Sequence, residues 1–249
     1  MIEHDTQSAQ QTQDSVLPTL VSTGLTIAHS WRARGASRTA LFGVLGVGLP
    51  VVAEYISINM LRDLRHHTYP QVKGIPLGAA LGWYNIAYAT FAMAESLLAR
   101  REMTKKQRRW VLPVATATVA TSLDLILDCM GLDQGLWEWT DGGPYASDIV
   151  GTNGKHGIPL VNFSGWLLLT SSVTWLYESL TKDQPASTRS GRAGSPEAGG
   201  AAALLLLPYY AVAATWAIQR RKPKYLLCSS LVPVVLSEAI RNSINRRQK

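Results

Sequence analysis

Charge is scarce in this chain. Only 16% of its 249 residues are Asp, Glu, Lys or Arg, against roughly 25% in a soluble globular domain. With 47% hydrophobic residues and a mean hydropathy of +0.04, that shortage argues against a large water-soluble core. Cysteine is nearly absent. Cys129 and Cys228 both lie in apolar runs, which excludes a disulfide framework and fixes no compartment. There are five histidines; His66 and His67 are adjacent, so a helix would point them to different sides, and His29 and His156 stand alone. No histidine metal site is therefore expected. The N-terminal stretch MIEHDTQSAQQTQDS lacks the basic segment of a signal peptide and reads as a polar tail over 1–14. No repeat of fixed short period is visible.

What the chain does have is long apolar runs. Six strong ones cover about 38–61, 74–99, 110–132, 157–180, 200–219 and 225–243, and a weaker Ser/Thr-rich one covers about 15–31. A bilayer helix needs about 20 residues, and backbone polar groups in lipid must be paired within the helix. The expectation is an all-α, multi-pass bundle of about seven transmembrane helices in the lipid bilayer, forming a single catalytic domain over 15–249. Pro50, Pro113 and Pro233 should kink their spans, and the Ser/Pro/Gly-rich stretch at about 181–199 reads as a flexible linker.

Positive charges alternate with these spans. Around 32–38, 100–109, 182–192 and 241–249 there are sixteen Lys and Arg; around 62–73, 155 and 220–224 there are eight. The richer side is expected to be cytoplasmic, with the N-terminus outside and the C-terminus inside, although RRKPK at 220–224 runs against the rule. The net charge of +7 is spread over many loops rather than gathered on one face, so no nucleic-acid partner is expected. Composition leaves the oligomeric state open.

Ionisable residues inside a span are costly and mark functional sites by default. Glu54, Glu95, Asp124 and Asp128 lie inside the expected helices, with Glu178 and Glu238 nearer span ends. Glu95 and Glu178 border basic loops and read as structural partners. Asp124 and Asp128 are four residues apart, so they share one helix face with no basic residue in their own span. Two carboxylates that close in a dry site cannot both ionise easily. A protonated acid beside a carboxylate suits proton delivery to an apolar substrate, followed by proton removal or water activation. An Mg²⁺–diphosphate site would need a second acidic motif on another helix, and none is present.

Aromatic residues crowd the segment after this pair. WEWTDGGPY at 137–145 supplies Trp137, Trp139 and Tyr145. GIPLVNFSGW at 157–166 supplies Phe163, Trp166 and the polar Asn162. An earlier hairpin, KGIPLGAALGW, ends in Trp83. An interfacial belt explains one or two rings at a span end. A Trp-x-Trp pair beside Gly142, Gly143 and Pro144 is better explained as a lid over an apolar cavity, whose ring faces stabilise a carbocation and exclude stray water.

LDLILDCMGLDQGLWEW, followed by GPY and HGIPLVNFSGW, resembles the integral-membrane carotenoid biosynthesis protein family, whose members include carotenoid 1,2-hydratases. The likeness covers about residues 40–180. It rests on Asp124, Asp128, Trp137, Trp139, Tyr145, Gly157, Pro159, Asn162, Phe163, Gly165 and Trp166, with Glu54 and the Gly74–Trp83 hairpin matching earlier elements. Cys129 stands where the family has proline, the connection 146–156 is longer, and the segment before Gly74 is more basic. The resemblance implies a membrane enzyme that needs no cofactor and acts on an apolar polyene or terpenoid. Asp124 or Asp128 would protonate a terminal alkene, Glu54 or the second Asp would act as base, and water would add. Cyclisation or isomerisation shares the first step and stays open. A transporter or lipid-binding protein using the acids as a proton relay is the reading from another class, favoured by the similarity of GIPLGAALGW to GIPLVNFSGW.

Overall fold

The computed structural model describes residues 2–99, 101–140, 148–151, 154, 157–181 and 193–247. Among them are eight α-helices and two small antiparallel ribbons. Helix α1 (Ile2–Arg34) turns at Gly35, whose φ of +83° suits glycine, into α2 (Ala36–Tyr55). The same span continues as a π-helical turn, Ile56–Leu61, and ends at Arg62 in the left-handed region. Strands β1 (Leu64–His66), β2 (Gln71–Val72) and β3 (Ile75–Pro76) lead to α3 (Leu77–Leu98). Then come α4 (Lys105–Asp133), β4 (Trp137–Trp139), α5 (Leu160–Thr181), α6 (Pro196–Gln219), α7 (Pro223–Cys228) and α8 (Leu231–Arg247).

Local chemistry sets several of these ends. Thr104 and Gln107 cap α4 reciprocally, so the helix starts ahead of the expected apolar span. Ser195 accepts from the Ala198 N–H and Pro196 sits in the first turn, so α6 begins inside the stretch expected to be linker. Residues 182–192 of that stretch lie outside the described residues. The expected span at 225–243 is divided between α7 and α8, because Ser229 and Ser230 form a turn and Pro233 occupies the first turn of α8, where a missing N–H does no harm. Pro233 therefore starts a helix instead of kinking one. Pro50 and Pro113 do lie within α2 and α4.

Helix α3 is the centre of the bundle. Every residue from Trp83 to Ser96 is buried, the mark of a helix covered on all sides. Helices α1, α2, α4 and α6 pack around it, α5 lies against α4, and α8 lies against α6. Large apolar side chains such as Val44, Val52, Leu168, Leu204 and Val234 point outward and are exposed. Among the described residues, three helical segments are long and apolar enough to cross a membrane: Ala36–Leu61, Lys105–Asp133 and Pro196–Gln219.

Several polar groups inside the bundle pair between helices. At one end, Arg34 of α1 reaches Glu95 of α3 at 2.7 Å, Arg108 of α4 reaches the other Glu95 oxygen at 2.8 Å, and Arg108 also lies 3.4 Å from Glu178 of α5. The acids expected to be structural thus tie four helices together. Further along, Asn85 of α3 donates to Thr23 of α1 and to the Tyr209 hydroxyl of α6.

Candidate active site

The opposite end of the bundle gathers the other carboxylates. Asp124 and Asp128 project from one face of α4 and both are buried. Asn162, in the first turn of α5, donates its amide to Asp124 at 3.3 Å and also to Asp128. One side chain therefore bridges both acids. Glu54, where α2 passes into its π-helical turn, lies near enough for its charge to bear on both. Such local departures from α-helical geometry are frequent at functional sites.

The rings arrange themselves around these groups. Trp83 of α3 and Trp166 of α5 stack with centroids 3.4 Å apart and planes 16° apart. The Trp83 indole N–H points to Glu54 at 3.4 Å. The two tryptophans close the two similar motifs, and the motifs are built alike. Gly74 and Gly157 both have positive φ, at +83° and +74°. Each is followed by Ile-Pro, and each helix begins at the next leucine. Asn162 falls where the first motif has Ala79, so only the second unit supplies a polar group.

WEW is a strand rather than an irregular loop. It pairs antiparallel with β1 in the register Leu64 to Trp139, Arg65 to Glu138 and His66 to Trp137. Side chains alternate across a strand, which explains the Trp-Glu-Trp order. Leu64, His66, Trp137 and Trp139 share one face, while Arg65 and Glu138 share the other, 3.9 Å apart. His67 also turns to that second face, 3.6 Å from Glu138. Trp137 rests against Gly131 of α4 so closely that any Cβ there would overlap the indole. Trp139 and Phe163 are both buried in the core. Tyr145, with the rest of 141–147, lies outside the described residues.

Sequence reasoning missed His66. Its Nε2 lies 2.9 Å from Glu54 Oε2, and its side chain is 5% exposed. Its ring meets Trp137 edge-on at 5.9 Å. No sequence spacing signals this contact; it exists because β1 pairs with β4 and lays the histidine over the end of α2. In the connection between β4 and α5, Asp148 bonds Lys224 at 2.8 Å, Tyr225 at 2.5 Å and Lys222 at 3.3 Å. The Lys224 and Tyr225 donors hold its carboxyl below the usual carboxylate range. A groove of about 550 Å³ lies elsewhere, between the end of α4 and α6, lined by Gln134, Thr215, Trp216 and Arg220 among others. Among the described residues, no group of three or more His, Cys, Asp or Glu side chains is placed to hold a metal ion.

Chemically, the arrangement offers two carboxyl groups bridged by one amide, a third carboxyl engaged by His66 and Trp83, and stacked rings alongside. No curated protein and no solved structure matches the chain. One family matches over residues 15–236, spanning every element of the site. The chain belongs to the carotenoid biosynthesis protein family, and it is a multi-pass membrane protein with a part in carotenoid biosynthesis.

Proposed function

We propose that the protein is a hydratase that adds water to a terminal double bond of a long apolar polyene by acid–base chemistry. The reading is carried by the bridge from Asn162 to both Asp124 and Asp128. An amide donor keeps one carboxylate of such a pair ionised, and the other carries the proton to be delivered. The protonated member gives its proton to the terminal alkene carbon, so a C–H bond forms as the π bond breaks. The positive charge left on the neighbouring carbon faces the Trp83, Trp166 and Trp137 rings, whose faces attract cations. The oxygen of water then forms the C–O bond. Its surplus proton leaves to the Glu54 side of the site and returns to the aspartate pair, and the product is an alcohol heavier by one water. Trp139 and Phe163 complete the apolar wall, and Tyr145 is assigned to the same wall by its place in the motif.

Ring closure or isomerisation is the second reading. It is favoured by the stacked tryptophans, since a site that excludes water protects a cation from hydration. Product mass separates the two in cells making an acyclic polyene such as lycopene. A gain of one water is expected. A product of unchanged mass and new retention would replace hydration with cyclisation or isomerisation, and no conversion of any polyene would remove the enzymatic reading. Asp128→Asn should abolish turnover while membrane insertion and helix content stay as in the parent. Full activity would remove Asp128 from the acid role.

A further inference from the structure

Both oxygens of Glu54 are engaged by ring nitrogens. Oε2 faces His66 Nε2 at 2.9 Å, and Oε1 faces the Trp83 N–H at 3.4 Å. A carboxylate at Nε2 makes that nitrogen the one carrying hydrogen, which leaves Nδ1 with a bare lone pair. Nδ1 is buried and has no hydrogen-bond partner among the described residues. Buried polar atoms are rarely left so; the ring is held by Glu54 at Nε2 and packs edge-to-face with Trp137, centroids 5.9 Å apart. The other titratable groups of the ribbon, Arg65, His67 and Glu138, engage one another on its opposite face.

This is the layout of a carboxylate–histidine dyad: the acid fixes the tautomer and steadies the imidazolium, while the second nitrogen moves the proton. We propose that His66 is the general base of the site, its Nδ1 binding the attacking water, and that Glu54 is its positioning residue. The proposal rests on the hydration reading. As the water oxygen bonds to the cation, one of its protons passes to Nδ1. The imidazolium so formed is neutralised by Glu54 across the Nε2–H, and loss of that proton back to the aspartate pair restores the starting state.

Three variants and one spectrum test it, with the full chain in lipid nanodiscs and lycopene as the probe. His66→Gln keeps an N–H donor for Glu54 but has no basic nitrogen. Its kcat should fall by ~10²- to 10⁴-fold, the usual share of general acid–base catalysis, with little change in KM. His66→Ala should fall as far and recover when imidazole is added to the buffer. Glu54→Gln should lose less than either. Parent-like kcat in His66→Gln, or no recovery of His66→Ala with imidazole, would overturn the proposal. Independently of turnover, ¹⁵N-histidine NMR, assigned by the signal missing in His66→Gln, should show protonated Nε2 and bare Nδ1, and a protonated Nδ1 would overturn it. If the parent converts no lycopene, the hydration reading fails on that probe while the NMR result still decides the state of His66.

Discussion

At the scale of single residues, Asn162 is the most exposed to test. Its amide touches both aspartates. A hydrogen bond to a charged group contributes about 1.5–3 kcal/mol, so Asn162→Leu should lower turnover about 10- to 150-fold without unfolding the bundle. Parent-like kinetics in that variant would show that the amide does not tune the acids. Gly131 makes a steric prediction. A Cβ there meets the Trp137 ring, and overpacking of this kind costs about 1–3 kcal/mol. Gly131→Ala should therefore lower the detergent unfolding midpoint in the parent and cost far less in a Trp137→Val background. Additive effects in the double variant would mean that the contact is not the cause. Both residues stand inside motifs visible in the sequence, but the partners of Asn162 come from another helix, and that of Gly131 from strand β4.

At the scale of elements, the bundle is fastened at one end by charge and closed at the other by a ribbon. Arg34 and Glu95 are 3% and 9% exposed at their side chains, and the Arg34 guanidinium also lies 4.4 Å from the Phe91 ring centre. Removing one partner of a buried pair leaves an uncompensated charge and costs about 3–5 kcal/mol. Glu95→Gln should lower stability by that order in a denaturant titration, and Arg34→Met with Glu95→Leu should recover much of it. If the single variant is as stable as the parent, the network does not fasten α1, α3 and α4. The adjacency of Glu95 and Glu178 to basic residues was legible from sequence. The pairing of β1 with β4 was not, because three-residue strands carry too little periodicity to stand out beside long apolar runs.

At the scale of the whole molecule, two units of similar build meet at the site. Each runs from a helix with acids near its end, through a strand, to a glycine with positive φ, Ile-Pro and a helix bearing tryptophan. The strands pair with each other and the tryptophans stack. The basic run at 220–224, which breaks the sidedness rule, is largely matched by acids: Arg220 lies 2.9 Å from Asp133, and Lys222 and Lys224 bond Asp148. With the sixteen-residue side inside, a cysteine placed at Lys73 should be labelled from outside intact cells and one at Glu102 should not. Labelling of both from one side would break the proposed topology.

The sequence by itself determined the all-α membrane bundle, the family, and the carboxylates and rings worth naming, because hydropathy, helical spacing and motif order act over neighbouring residues. Only the tertiary structure decided which of them meet. Asn162 bridges Asp124 and Asp128 across 34 to 38 positions, Trp83 stacks on Trp166, and His66 reaches Glu54 through a ribbon whose other strand lies some seventy residues on. Those contacts arise from packing α4 against α5 and α2 against α3, and no pattern along the chain encodes a distance between two helices.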